Sequence, residues 1–259
     1  MFKELHNEGY LKFYLKTMSP LSIKAADNND FDPTVPDNKF LRSYKDGKLT
    51  VVMPGSSIKG VFRSRAEKKL KGCDIFGSEY CGKKLSSSMD GKERYKESCP
   101  ACKMFGNTAL KSRILFKDAY PIGEIKMGKR KNVAIDRITG ASKRNALFEP
   151  EVVEDGTFEC EIKMENVFNW QIKVLTEILD EIDDGYVVFG GITSRGFGRM
   201  AVQNVQFTMR YYDRKNISGY EDYGFYIERK FDRETLREKL SRLVLDDECF
   251  GKVEFDETL

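Results

Sequence analysis

The hydrophobic rhythm of this chain switches between a period of two and a period near four, and that alternation restricts the fold more than any single motif. In YLKFYLK, Leu11, Phe13 and Leu15 alternate with Lys12, Tyr14 and Lys16, which predicts a half-buried strand with a basic, aromatic outer face. After Pro54-Gly55 the register changes. Ile58, Val61, Phe62, Ala66 and Leu70 share one side of a helix, and Lys59, Arg63, Lys68 and Lys69 take the other. Ser56 or Ser57 is placed to cap its first amides, and Gly72 is a stop signal. Strand character resumes in ILFKDA, from Ile114 to Ala119, and again where Phe158, Cys160, Ile162 and Met164 alternate. Ile172, Leu175, Leu179 and Ile182 mark a second helix, closed by Gly185. YVVFGG and MAVQNVQFTMRYY then read as strands on either side of a glycine-rich turn, and Asp232 caps a last helix carrying Leu236, Leu240 and Leu243. This order predicts an α+β chain built on a split βαβ, ferredoxin-like sheet with helices on one face.

At 259 residues the chain is long enough to bury a full core, and no second-domain linker interrupts it, so one domain over residues 1–259 is expected. Its apolar runs are too short to cross a bilayer, and MFKELHNEGY lacks the apolar centre of a signal peptide, so a cytoplasmic protein with no membrane partner is expected. The net charge of +3 says little, being the difference between 44 basic and 41 acidic residues; its distribution says more. From Lys126 to Arg144, the basic residues Lys126, Lys129, Arg130, Lys131, Arg137, Lys143 and Arg144 stand against a single acid, Asp136; they belong to a basic excursion over 123–150 that reads as a hairpin. From Glu177 to Asp184 the balance reverses, which suggests one basic working surface. Ser19 to Lys48, rich in Asp, Asn and Pro, reads as a long loop.

Cys73, Cys81, Cys99 and Cys102 are separated by seven, seventeen and two residues, ending in the knuckle CPAC. Four thiolates without histidine describe a closed tetrahedral Zn2+ site, a structural one, over an insertion at 73–102 whose Ser, Lys and Gly residues would hardly fold unaided. The plainer account is four ordinary buried thiols. Cys160 and Cys249 read as core or surface residues.

The turn Gly190-Gly191-Ile192-Thr193-Ser194-Arg195-Gly196-Phe197-Gly198-Arg199 lies between strands, which argues against a dinucleotide fingerprint. It still lets backbone approach phosphates, with Arg195 and Arg199 supplying charge; a tight turn with two solvated arginines is the plainer account. The helix start PGSSIKGVFRSR gathers Ser56, Ser57, Lys59 and Arg63 at an amino terminus, where hydrogen bonds and the helix dipole favour an anion. Together with the basic, aromatic sheet face, these point to single-stranded nucleic acid.

PGSSIKGVFRS, IDRITGASKRNALFEPEVVEDGTF and GGITSRGFGR, in that order, resemble the RAMP superfamily, specifically the backbone subunits of type III CRISPR effector complexes and their relatives, over roughly residues 9 to 210. The insertion ending in CPACKMFG is similar to the zinc-binding insertion of many members. The resemblance implies an RRM-like palm and a thumb made by the 123–150 excursion, which wedges between guide and target strands. It also implies further copies of the chain packed helically along CRISPR guide RNA, with complementary target RNA and other effector-complex subunits as partners. It places the guide backbone on Ser56, Ser57, Lys59, Arg63 and the turn from Gly190 to Arg199, including Gly191, Ser194, Arg195, Gly196, Phe197 and Gly198. The thumb residues Lys129, Arg130, Lys131 and Arg137 would face RNA. Target cleavage in that family depends on an aspartate in the loop before the helix; Asp37 is the best match among Asp27, Asp30, Asp32 and Asp37. It would activate a ribose 2′-hydroxyl or hold Mg2+ or another divalent ion that does so. In related complexes the backbone only binds RNA and a separate nuclease cuts.

Two rivals fit less well. His6-Asn7-Glu8 with Cys99 and Cys102 matches the bare H-x-E and C-x-x-C of a zinc deaminase, but Ser98 stands where proline is expected and Cys73 and Cys81 have no task. A guide-processing endoribonuclease of the same superfamily commonly uses histidine, and His6 is the one histidine of the chain. A scaffold that never touches RNA is a third alternative, distinguished by the absence of salt-dependent binding.

Overall fold

A computed structural model describes residues 4–25, 38–70, 89–213, 217–255 and 258–259, with the backbone alone for 143–147. Strand β1 (Asn7–Thr17) lies at the heart of a seven-stranded antiparallel sheet. On one side it pairs with β8 (Glu151–Glu165), which carries β4 (Ile114–Phe116) and β5 (Tyr120–Lys129) beyond it. On the other it pairs with β9 (Met200–Tyr211), followed by β11 (Ile227–Asp232) and β10 (Glu221–Asp222).

The period-two pattern of β1 is realised as expected: Leu11, Phe13 and Leu15 are buried, while Lys12 and Lys16 are exposed. The buried face is covered by α1 (Gly55–Leu70), between β1 and β4 in the chain, and α4 (Asn169–Asp183), between β8 and β9. Phe13, Phe62 and Phe116 meet in sequence across that layer, the first pair tilted and the second edge to face, at centroid distances of 6.3 Å and 5.3 Å. From α4, Trp170, Ile172, Leu175, Ile178, Leu179 and Ile182 are all buried. Each such side chain contributes about 1.5–3 kcal/mol, so this layer dominates the stability. Among the described residues no helix is long and apolar enough to cross a membrane.

Several local expectations are revised. Helix α1 begins at Gly55, so Ser56 and Ser57 lie inside its first turn; the Asp118 carboxylate instead accepts from the Gly55 N–H at 2.8 Å. Gly55 must be glycine, because a Cβ there would stand 2.4 Å from the Phe116 carbonyl oxygen. YVVFGG forms only an isolated bridge, Val188 to Arg199, since the glycine turn folds the chain back at once. The segment from Ser19 to Lys48 is not all loop. Leu21 and Asn38 pair with Val153 and Pro150, and β2 (Arg42–Lys45) with β3 (Lys48–Val51) makes a hairpin through Asp46 and Gly47, both at positive φ. The cysteine segment contains α2 (Gly91–Glu97) and α3 (Pro100–Phe105). The helix expected after Asp232 is α5 (Arg233–Ser241), capped by Asp232 but ending before Leu243, and it is not the last, since α6 (Asp247–Gly251) follows.

Candidate nucleic-acid interface

The glycine turn is fastened to the sheet from below. Gly191 donates to the Ser22 carbonyl at 2.8 Å, Gly198 to Pro20 at 2.9 Å, and Phe189 to Gly198 at 2.9 Å. At Gly198, with φ +81°, a Cβ would sit 1.9 Å from the Phe189 oxygen; at Gly190, with φ +76°, one would meet the Ser22 oxygen at 2.3 Å. Ile192 adopts φ 61°, a conformation that costs a β-branched residue about 1–3 kcal/mol. Phe197 is only 9% exposed and anchors the turn inward, whereas Ser194, Arg195, Gly196 and Arg199 face solvent.

Ser57, in the first turn of α1, and Val188, which pairs with Arg199 of the glycine turn, line the same groove. That groove, of about 380 Å³, runs along α1, with Ser57, Ser64 and Lys68 on one wall and Tyr186 and Val188, which lead into the turn, on the other. Tyr186 is 72% exposed at its edge. Lys59 is half-buried, and burial, with the neighbouring Arg63 charge, lowers its pKa. Arg63 is oriented elsewhere: it pairs with Glu67 at 2.8 Å and donates to the Gly106 carbonyl at 3.0 Å and to Cys102 Sγ at 3.8 Å, facing the cysteine segment.

The basic excursion is a two-part projection. Strand β5 continues along the outer half of β8, with Lys129 opposite Glu151, and above it β6 (Asn132–Ile135) pairs with β7 (Ser142–Phe148). The tip is a preformed turn in which the Asp136 carboxylate accepts from the amides of Ile138 and Thr139, both at 2.9 Å. Those backbone hydrogen bonds hold the Asp136 carboxyl below the ordinary carboxylate range. The turn presents Arg137 and Ile138, the latter 96% exposed. Lys129, Arg130 and Lys131 are exposed, Arg130 facing Glu154 at 3.3 Å. Arg195 reaches this projection from the glycine turn, lying 5.2 Å from the Phe148 ring and donating to Asn132 Oδ1 at 3.3 Å.

At the foot of the projection, Glu151 accepts from both Arg42 nitrogens, at 2.9 Å and 2.5 Å, and from the Phe40 amide at 2.8 Å. Burial, the largest single influence, would raise its carboxyl, but the hydrogen bonds from Arg42 and the Phe40 amide, with the Arg42 and Lys129 charges, together outweigh it and hold the pKa low. Asp27, Asp30, Asp32 and Asp37 lie outside the described residues; Asn38, next to Asp37 in the chain, accepts from the Glu151 amide at 2.9 Å.

Cys73 and Cys81 also lie outside the described residues. Cys99 and Cys102 are buried together at the start of α3, where the Cys102 N–H points at Cys99 Sγ at 3.4 Å. Two sulfurs presented by a helix start are one half of the donor set a four-thiolate zinc site requires, so the described pair fits that metal. Among the described residues no group of three His, Cys, Asp or Glu side chains is placed to hold a metal ion, and His6, Cys99 and Cys102 therefore make no deaminase centre. His6 instead stacks on Phe255 at 4.6 Å and meets Asp213 at 2.8 Å. Cys160 is buried within β8, and its burial pushes the thiol pKa up.

The acidic stretch of α4, read from the sequence as a counterweight to one basic surface, is taken up internally. Glu181 binds Arg65 at 2.6 Å and Lys69 at 3.1 Å, Glu177 binds Lys69 at 2.9 Å, and Asp180 and Asp183 hold Arg233 at 2.7 Å and 2.6 Å. Sequence reasoning missed this, because α1, α4 and α5 are far apart in the chain. It also missed Tyr186 and Asp118, which no motif marks.

A comparison with curated proteins gives no match. The family model of the RAMP superfamily matches residues 14–201, a span that begins in β1, takes in α1, the projection and α4, and ends just after the glycine turn. This chain belongs to the RAMP superfamily.

Proposed function

We propose that this protein binds CRISPR guide RNA as a repeating backbone subunit of an RNA-targeting effector complex of the type III kind. The observation that carries the reading is the groove between α1 and the segment entering the glycine turn, within the span matched by the family. A ribose-phosphate strand along it would meet the hydroxyls of Ser57 and Ser64 and the ammonium of Lys68 on one wall and the Tyr186 ring on the other, with Arg199 paired to Val188 at its edge. The strand order β9-β1-β8-β4, with α1 following β1 and α4 following β8, supports a ferredoxin-like palm. The projection over 123–150 is then the thumb: Lys129, Arg130, Lys131 and Arg137 attract target RNA, and Ile138 supplies an apolar wedge at its tip. Further copies of the chain would line up along the same guide.

Zinc belongs to the same reading. Cys99 and Cys102 would complete a tetrahedral site with Cys73 and Cys81, crosslinking the insertion and, through Arg63, bracing α1 against it. Elemental analysis of the purified chain is expected to give one zinc per protein, falling to none in the Cys99→Ser, Cys102→Ser double variant.

Target cleavage is assigned to Asp37, and its test stands apart from binding: a complex assembled on guide RNA with magnesium and matched target is expected to cut, and to stop cutting in Asp37→Ala. Cleavage surviving that change removes Asp37; its absence from both leaves a passive backbone. RNA binding itself is tested by fluorescence anisotropy of a labelled guide over a salt series. Log affinity is expected to fall linearly with log salt, by about 0.7 per phosphate contact on a single strand. No affinity at low salt would overturn the proposal.

A further inference from the structure

The sequence offers Arg195 as a phosphate ligand, but the folded chain gives its guanidinium another task. Its two contacts, Asn132 at 3.3 Å and the face of Phe148 at 5.2 Å, are with residues directly opposite each other across the β6–β7 ladder. That pair is the first rung of the hairpin, the point from which everything out to Arg137 and Ile138 projects. The guanidinium therefore spans both strands at the root of the hairpin, holding one by a hydrogen bond and the other by a cation–π contact. The turn that carries it is well suited to anchor such a strut. Gly191 and Gly198 are bonded to Ser22 and Pro20 behind β1, and Phe197 is buried beneath. Among the described residues no carboxylate competes for Arg195.

We propose that Arg195 is a positioning residue that ties the glycine turn to the root of hairpin β6–β7 and fixes the angle at which the hairpin stands over the RNA. The part concerning RNA rests on the proposed function, but the strut itself does not require it. The consequence is a division of labour within one motif. Arg199 remains for the guide backbone, while Arg195 makes the turn that meets the guide also the hinge-stop of the hairpin that meets the target.

The test is hydrogen exchange on the full chain without RNA, comparing wild type with Arg195→Lys, Phe148→Leu and the double variant. Lysine keeps the charge but loses the planar fork, and leucine keeps bulk without a π face. Each single change is expected to speed exchange of the β6 and β7 amides about two- to five-fold, the span of an exposed cation–π contact. The double variant should add nothing further, and β1 amides should be unaffected. Unchanged exchange in the single variants, or fully additive effects, overturns the strut. In RNA titrations, Phe148→Leu should weaken binding without altering the salt slope, and Arg195→Gln should leave the slope at its wild-type value. A slope reduced by about 0.7 in Arg195→Gln would return Arg195 to the phosphate. If wild type binds no RNA, the function fails while the exchange result still decides the strut.

Discussion

The helix layer and the hairpin above it handle charge in opposite ways. Between α1, α4 and α5, cations meet carboxylates: Arg65 and Lys69 are held by Glu177 and Glu181, Arg233 by Asp180 and Asp183, and Arg237 by Asp180. On the projection, Lys129, Lys131 and Arg137 stand in solvent with Ile138 at the tip. The difference separates basic residues that stabilise the helix layer from those that stand open to a polyanion, a distinction that net charge of +3 conceals.

The sharpest contrast uses two glycines of the same backbone handedness. Gly198 and Gly140 both have positive φ, but a Cβ at Gly198 collides with the Phe189 oxygen at 1.9 Å while one at Gly140 meets nothing within 4 Å. Gly198→Ala is expected to cost about 3–5 kcal/mol by urea denaturation, and Gly140→Ala only about 1–2, the left-handed penalty alone. Similar costs at both would break the contrast.

Next in size, changing Lys129, Lys131 and Arg137 together to Gln is expected to weaken guide–target duplex binding about 10- to 100-fold and flatten the salt slope by about three. Stability should stay within about 0.5 kcal/mol, as for surface changes elsewhere. A loss of stability instead would mean that these side chains are structural.

Glu181→Gln probes the closed side. Losing charge-assisted bonds from Arg65 and Lys69 should cost about 1–2 kcal/mol and leave the RNA salt slope unchanged. Burial would raise the Glu181 carboxyl, but its partners hold it below the ordinary value of 4.5. The stabilisation is therefore complete above that pH and disappears as pH falls through the lower folded-state value. Denaturation midpoints of wild type and variant should converge in acid; a constant gap would contradict the ion-pair account.

The smallest effect is a gain. Ile192→Gly, relieving a left-handed β-branched residue, should raise stability by up to about 1 kcal/mol, read as a shift in thermal midpoint.

Local patterns carried β1, β8, β9 and the two long helices, since β1 alternates as its burial requires and Ile58, Phe62, Ala66 and Leu70 line the inner side of α1. The start of α2 was equally legible in principle: Asp90 and Glu93 form a reciprocal cap, a signature recognisable in DGKE. What could not be read is long-range. Asp118 replaces the serines as the cap of α1 from 63 residues away, and Arg63 turns to Cys102 and Gly106 because α3 packs beside it. Arg195 meets Phe148 and Asn132 only once the hairpin is folded over the turn. Spacing gives residue types and local register, whereas partners across the fold depend on packing.

The most direct measurement is photo-crosslinking of a guide containing 4-thiouridine, followed by peptide mapping. Crosslinks are expected in residues 57–68 and 186–188, the two walls of the groove, and in the glycine turn that follows. Crosslinks confined to β10, β11 and α5 would contradict the account, because no guide strand could then run between α1 and the glycine turn.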